Sequence, residues 1–167
     1  MIDGLVITGG EPMLQKDIVE FAKKVKELGY FVKLDTNGTF PDKLEKAIEE
    51  GVVDYVAMDV KNSFAKYAMT VGLPSFDTAP VAASMKLLQE GRVDYEFRTT
   101  VVKELHEKKD FCEIGQLLTS ADKYYLQSFV DSKDIIGTCL TPPSREELEI
   151  YLNCLKTYIN NVSIRDR

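Results

Sequence analysis

Five short apolar runs alternate with five amphipathic runs along the chain, and this alternation restricts the fold more than any other feature. The apolar runs are Gly4–Thr8, Phe31–Thr36, Tyr55–Val60, Tyr95–Val102 and Lys123–Phe129. In the first amphipathic run Ile18, Phe21, Ala22, Val25 and Leu28 recur at helical spacing before Gly29. The second opens at Pro41, aligns Leu44, Ala47 and Ile48, and stops at Gly51. The third follows Pro80 with Met85, Leu87 and Leu88, and the fourth carries Phe111, Ile114, Leu117 and Leu118. The last opens on the capping-box pattern Ser144-Arg145-Glu146-Glu147 and continues through Leu148, Tyr151, Leu152, Leu155 and Ile159. Such alternation predicts an α/β fold of parallel strands with right-handed crossovers, either an open doubly wound sheet or all or part of a βα barrel. Stretches 62–79 and 131–143 read as irregular loops over an active face.

A chain of 167 residues is expected to form a single domain, 1–167, with a genuine core. Its net charge of -6 argues against nucleic acid or an anionic membrane as partner. No apolar run is long enough to span a bilayer, and residues 1–15 lack a signal-peptide pattern, so a cytoplasmic location is expected. Cys112, Cys139 and Cys154 are far apart and form no CxxC pair, which indicates neither a zinc ribbon nor a disulfide framework. Cys112 and Cys154 read as small core residues, and the role of Cys139 is open. His106 reads as a solvated loop residue, and one histidine makes a poor basis for a triad or a zinc centre.

Buried parallel strands should be almost continuously apolar, yet these fail near their C-terminal ends. Lys33 and Asp35 share one face of their strand; so do Asp59 and Lys61, and Glu96, Arg98 and Thr100, while Gln127 and Ser128 end the fifth run. For any one residue, a paired structural charge is as good a reading as function. Four strands breaking pattern at the same end point to a ligand site, because α/β folds bind ligands at the C-terminal ends of their strands. The first run ends in Gly9-Gly10-Glu11-Pro12, a turn whose glycines let backbone approach a ligand. The inventory suits a small molecule bearing a carboxylate, with Lys61 or Arg98 as its partner.

On Val6-Ile7-Thr8-Gly9-Gly10-Glu11-Pro12, Leu34-Asp35-Thr36-Asn37-Gly38, Val53–Lys61, Glu96–Val102 and Tyr125-Leu126-Gln127, in that order, the sequence resembles the radical SAM superfamily. More narrowly it resembles the activating proteins of glycyl-radical enzymes, most of all those of anaerobic ribonucleoside-triphosphate reductase. The resemblance implies a partial (β/α) barrel that begins at the family's second strand, lacking the first βα unit. It implies S-adenosylmethionine (SAM) bound by Gly9, Gly10, Glu11 and Pro12, largely through backbone toward the methionine amino group. Asp59, Lys61 and Arg98 would line the same ligand, Lys61 toward its carboxylate. Asp35, Thr36 and Asp59 match positions that hold a monovalent cation in related formate-lyase activators. The implied reaction is reductive cleavage of SAM to a 5′-deoxyadenosyl radical, which takes a hydrogen atom from a glycine of the partner enzyme. A flavodoxin-like or ferredoxin-like reductant is the implied electron source.

The family binds a four-iron, four-sulfur cluster through CxxxCxxC, which this sequence lacks, and its three cysteines are too widely spaced to replace it. A histidine found after the sixth strand in some relatives also has no match, since Ser128, Phe129 and Val130 occupy that region. The chain is therefore expected to be a truncated radical SAM domain, the C-terminal portion of an activating enzyme. It would have no catalytic residue of its own and no activity alone. Two alternatives stay open beside a formate-lyase-type activator: a non-catalytic SAM-binding or docking module, and a phosphate-binding βα enzyme, which ranks last because the P-loop and G-x-G-x-x-G patterns are absent.

Overall fold

A computed structural model describes residues 2–131 and 139–165. Its strands are β1 (Gly4–Ile7), β2 (Phe31–Thr36), β3 (Tyr55–Asp59), β4 (Asp94–Val101), β5 (Tyr124–Ser128) and β6 (Val162–Arg165). Its helices are α1 (Ile18–Glu27), α2 (Pro41–Glu49), α3 (Tyr67–Thr70), α4 (Ala79–Gln89), α5 (Lys108–Leu117) and α6 (Arg145–Leu155). The backbone gathers into two compact units, Met1–Asp59 with Asp77–Glu96, and Val60–Phe76 with Phe97–Arg167.

In the first unit β1 pairs with β2 and β2 with β3, both parallel, with Gly4 opposite Phe31 and Lys33 opposite Tyr55. The parallel pairing follows from α1 and α2, which carry the chain back between successive strands. One face of these strands is dry: Val32, Leu34, Val56 and Met58 are buried, with Ile18, Ala22 and Val25 of α1 and Leu44, Ala47 and Ile48 of α2 in the same core. Each fully buried side chain of this kind contributes about 1.5 to 3 kcal/mol. The other face carries Lys33, Asp35 and Tyr55, which remain half-buried. Strand β1 exposes Leu5 and Val6, and Phe31 beside it is exposed as well.

In the second unit β4 pairs with β5 and β5 with β6, again parallel. Helices α5 and α6 pack on each other, and Phe97, Phe111, Ile114, Leu126, Leu152, Leu155 and Ile159 form the core. The Ser144–Glu147 capping box forms as expected, Ser144 Oγ accepting from Glu147 N and Glu147 accepting from Ser144 N.

Several expectations change here. Stretch 62–79 is not wholly irregular: it contains a 3-10 turn at Phe64–Lys66 and the short helix α3. These elements lie below the length at which periodicity becomes readable. Much of 131–143 lies outside the described residues. Strand β6 was not anticipated, because four residues with Val162 and Ile164 alternating leave too short a signal. The cysteine reading is overturned, since Cys112 of α5 and Cys154 of α6 form a disulfide with Cα atoms 5.6 Å apart. Two helices packed side by side bring together cysteines 42 residues apart, which spacing alone does not reveal. Cys139 is free and exposed.

Closing a loop of that length stabilises a folded chain by about 4 kcal/mol through restriction of the unfolded state. Maleimide labelling of the denatured, unreduced protein should therefore find one thiol, and labelling after reduction three. Reduction should lower the urea midpoint, and three thiols before reduction would show that the pair is not bonded.

Candidate functional site

The Gly9-Gly10-Glu11-Pro12 turn follows β1 in the first unit. Gly9 has φ of 140°, a conformation that favours glycine. A Cβ placed on Gly9 or Gly10 would meet no heavy atom within 4 Å, so both face open space. Glu11 behaves differently from its neighbours. Its side chain is buried, with Oε1 accepting from Met13 N at 3.0 Å and from Thr36 Oγ1 at 2.9 Å. Its Oε2 accepts from Asn37 N at 2.6 Å. Hydrogen bonds to an ionised carboxylate are roughly twice as strong as neutral ones, so Glu11 ties the turn after β1 to the turn after β2. Pro12 opens a 3-10 turn, Pro12–Leu14, where its missing N–H leaves no orphan. Lys43 of α2 completes the arrangement by donating to Met13 O at 2.6 Å and Gln15 O at 3.1 Å.

The Asp35-Thr36-Asn37-Gly38 turn is held as firmly. Thr36 Oγ1 accepts from Gly38 N at 3.1 Å, and Ser84 Oγ of α4 donates to Gly38 O at 2.8 Å. Gly38 has φ of 76°, and a Cβ there would lie 2.1 Å from Met58 Cε. The conformation favours glycine, and a Cβ there would also displace the Met58 methyl. Asp35 accepts from Thr8 Oγ1 at 3.1 Å and sits on the half-buried face. The register that sets Thr36 opposite Met58 places Asp59, one residue further along β3, on the same face as Asp35. Thr36 points to the other face, with its hydroxyl already engaged by Glu11 and Gly38. Of the expected cation set, the two carboxylates share a face and the Thr36 side chain does not. Among the described residues no group of three or more His, Cys, Asp and Glu side chains is arranged for a metal ion.

Some polar strand residues are structural. Glu96 is buried, accepts from Tyr55 Oη at 2.9 Å and lies 3.6 Å from Lys33 Nζ, which also stands over the Tyr55 ring. This is the paired charge that a half-open sheet face tolerates. A cavity of about 780 Å³, lined in part by Val6, Phe31, Lys33, Tyr55 and Arg92, lies at the N-terminal ends of β1 to β4. The glycine turns lie at the opposite ends, so the cavity is not their site.

In the second unit Lys61 lies two residues past the end of β3, where no strand ladder holds it. Its N–H donates to Tyr67 Oη at 3.4 Å, and its carbonyl accepts from His106 Nε2 at 2.9 Å. Asn62 follows, its Nδ2 donating to Thr70 Oγ1 and to Leu105 O, each at 2.9 Å. Ser63 Oγ donates to Asp110 Oδ1 at 3.1 Å. Lys66 bonds both Asp110 and Glu107 at 2.9 Å. Burial opposes the Lys66 charge, but the hydrogen bonds it donates to Asp110 and then Glu107, with their negative charges, outweigh it and hold the ammonium above its ordinary range. Arg98 of β4 is half-buried and aligned in register with Tyr125 of β5. The expectation that His106 is a solvated loop residue is overturned: it is 2 % exposed and stacks on Phe111, which stacks on Tyr151. The polar sequence around it, Glu104 to Lys109, disguised a side chain turned inward by distant aromatic partners.

Comparison with known proteins places these residues in context. The pattern of the radical SAM superfamily matches residues 1–115. Two proteins of Methanocaldococcus jannaschii, provisionally named glycyl-radical enzyme activating enzymes, are each 37% identical over 169 residues. The alignments cover 98% and 97% of this chain but 70% and 63% of those relatives. Among solved structures, a domain of pyruvate-formate lyase-activating enzyme from Bacteroides vulgatus superposes with a TM-score of 0.79 at 16% identity, covering 97% of this chain and 98% of that one. A radical SAM methyltransferase from Sphaerobacter thermophilus gives a TM-score of 0.79 at 13% identity, with 98% and 51% covered. At those identities the likeness concerns the fold alone.

Glu11→Gln tests the pin between the two glycine turns. One carboxylate oxygen would become an NH₂ group facing N–H or O–H donors, which should lower stability by about 2 to 3 kcal/mol. Urea denaturation monitored by circular dichroism measures it; a loss below about 0.5 kcal/mol would show that Glu11 is not the tie.

Proposed function

The chain belongs to the radical SAM superfamily, among relatives of the glycyl-radical enzyme activating enzymes, and we propose that it supplies the methionine-binding residues for SAM in such an enzyme. The observation that carries this reading is the Gly9-Gly10 turn, held from behind by the buried Glu11 carboxylate with open space in front. That arrangement fits a ligand amino group met by backbone, and it assigns Glu11 a holding role rather than a contact. In the second unit, Lys61 and Arg98 supply cations for the methionine carboxylate. Asp59, and Asp35 with the Thr36 carbonyl, offer oxygen atoms for an ammonium group or a monovalent cation. When bound, SAM supplies the group whose reductive cleavage starts radical chemistry in this superfamily.

The iron–sulfur cluster does not fit the residues of this chain. Cys112 and Cys154 are bonded to each other, and Cys139 cannot hold a cluster alone. These residues offer nothing to hold a cluster or meet its flavodoxin-like or ferredoxin-like reductant, and their work is to bind and orient SAM. The same observation favours a second reading, a SAM-binding module without catalysis. Anaerobic reconstitution with iron and sulfide tests the misfit: no visible absorption from a bound cluster is expected, and broad absorption would overturn both the misfit and the second reading. The partner enzyme on the first reading is a glycyl-radical enzyme. We take anaerobic ribonucleotide reductase as the target, on the Glu96–Thr100 and Leu126-Gln127 resemblance, over a formate lyase.

Isothermal titration with SAM under anaerobic conditions should show micromolar binding. Lys61→Ala should weaken it by ten- to a hundredfold, roughly the loss of one charge-assisted hydrogen bond. Absence of binding to the unmodified chain would overturn the assignment.

A further inference from the structure

Lys61 is placed by side chains rather than by a strand ladder, and this sets it apart from the other proposed ligand residues. The last bonds toward β4 before it belong to Val60, whose N–H donates to Arg98 O at 2.8 Å and whose carbonyl accepts from the Thr99 side-chain Oγ1. Past Val60 the backbone leaves the sheet, and a loop residue there would ordinarily sample several orientations. Instead both polar groups of the Lys61 backbone are taken by buried rings, Tyr67 at the N–H and His106 at the carbonyl.

We propose that His106, with Tyr67, is a positioning residue that clamps the Lys61 backbone so that its ammonium is directed for carboxylate recognition. The proposal rests on the SAM reading above and goes beyond it by assigning a role to the chain's single histidine. The hydrogen-bond pattern determines how the ring works. A carbonyl can only accept, so Nε2 must carry a hydrogen toward Lys61 O. Nδ1 lies 3.1 Å from both the N–H and the carbonyl oxygen of Val102, so either polar group of that residue can meet it. The imidazole thereby bridges the loop after β4 to the loop after β3.

The ring is itself fixed. Phe111 stacks on it with centroids 5.6 Å apart, and Tyr151 stacks on Phe111 at 4.6 Å. Tyr151 Oη donates back to the His106 carbonyl at 3.2 Å. Burial foremost, and then the charges of Glu147, Asp110 and Glu107, push the Tyr151 phenol up, which keeps it a donor. On the other side Tyr67 is buried and stacks on Phe76 at 5.1 Å. Asn62 and Ser63 continue the clamp toward Leu105 and Asp110, so the whole Lys61-Asn62-Ser63 segment is tied down. A fixed backbone removes the cost of ordering this segment on binding.

His106→Phe keeps the stack and the bulk but removes the donor, and His106→Gln restores an N–H near Lys61 O. Two measurements on the full chain decide the proposal. In ligand-free protein, hydrogen exchange of amides 61–63 should rise at least tenfold in His106→Phe while β5 amides stay unchanged, and His106→Gln should recover most of the protection. In titration, His106→Phe should weaken SAM about tenfold yet leave decarboxylated SAM within twofold, because only the former presents a carboxylate to Lys61. Unchanged exchange at 61–63 overturns the clamp, and so does an equal loss for both ligands, which would mark His106 as merely structural. If SAM fails to bind even the unmodified chain while exchange behaves as described, the SAM reading fails and the clamp stands.

Discussion

The Glu11 carboxylate is the interaction on which the arrangement of the first unit's glycine turns depends. It accepts from Met13, Thr36 and Asn37, joining the loop after β1 to the loop after β2. An ionised carboxylate in a buried position is costly unless its lone pairs are filled, and here three donors fill them. The result is a stiff platform from which Gly9 and Gly10 present backbone outward. A residue type that reads as a ligand contact in the sequence is thus spent on bonds within the protein.

The second unit achieves a comparable result with different chemistry. Its charged segment after β3 is held by aromatic side chains with polar atoms at their rims, Tyr67 and His106, with Asn62 and Asp110 closing the network. Aromatic rings combine a large buried area with a hydrogen-bonding tip, which suits them to fixing a backbone from within a core. The disulfide between Cys112 and Cys154 lies on the two helices behind this network and ties α5 to α6.

Much of the fold was legible in the sequence. Strand β2 was bounded as observed, and β1, β3, β4 and β5 to within one residue at each end, because strands buried on one face and helices with an apolar stripe have distinct periods. The misses share a cause: β6 and α3 are four residues each, too short for a period to register. For the site, the motif Gly9-Gly10-Glu11-Pro12 and the polar strand ends were legible as types. Which of them bond within the protein was not. Glu96 and Lys33 proved to be a pair with Tyr55, whereas Asp35 and Asp59 share the half-buried face at the strands' C-terminal ends.

The sequence by itself determined the alternation of strand and helix, the parallel pairing and the end of the strands at which polar groups collect, since each is written in local periodicity. Only the tertiary structure decided which of those groups bind to the protein itself. Thr36 reaches Glu11 across 25 residues and His106 reaches Lys61 across 45. Such partners are adjacent only after the strands are aligned, because a hydrogen bond is specified by distances of a few ångströms and not by spacing along the chain.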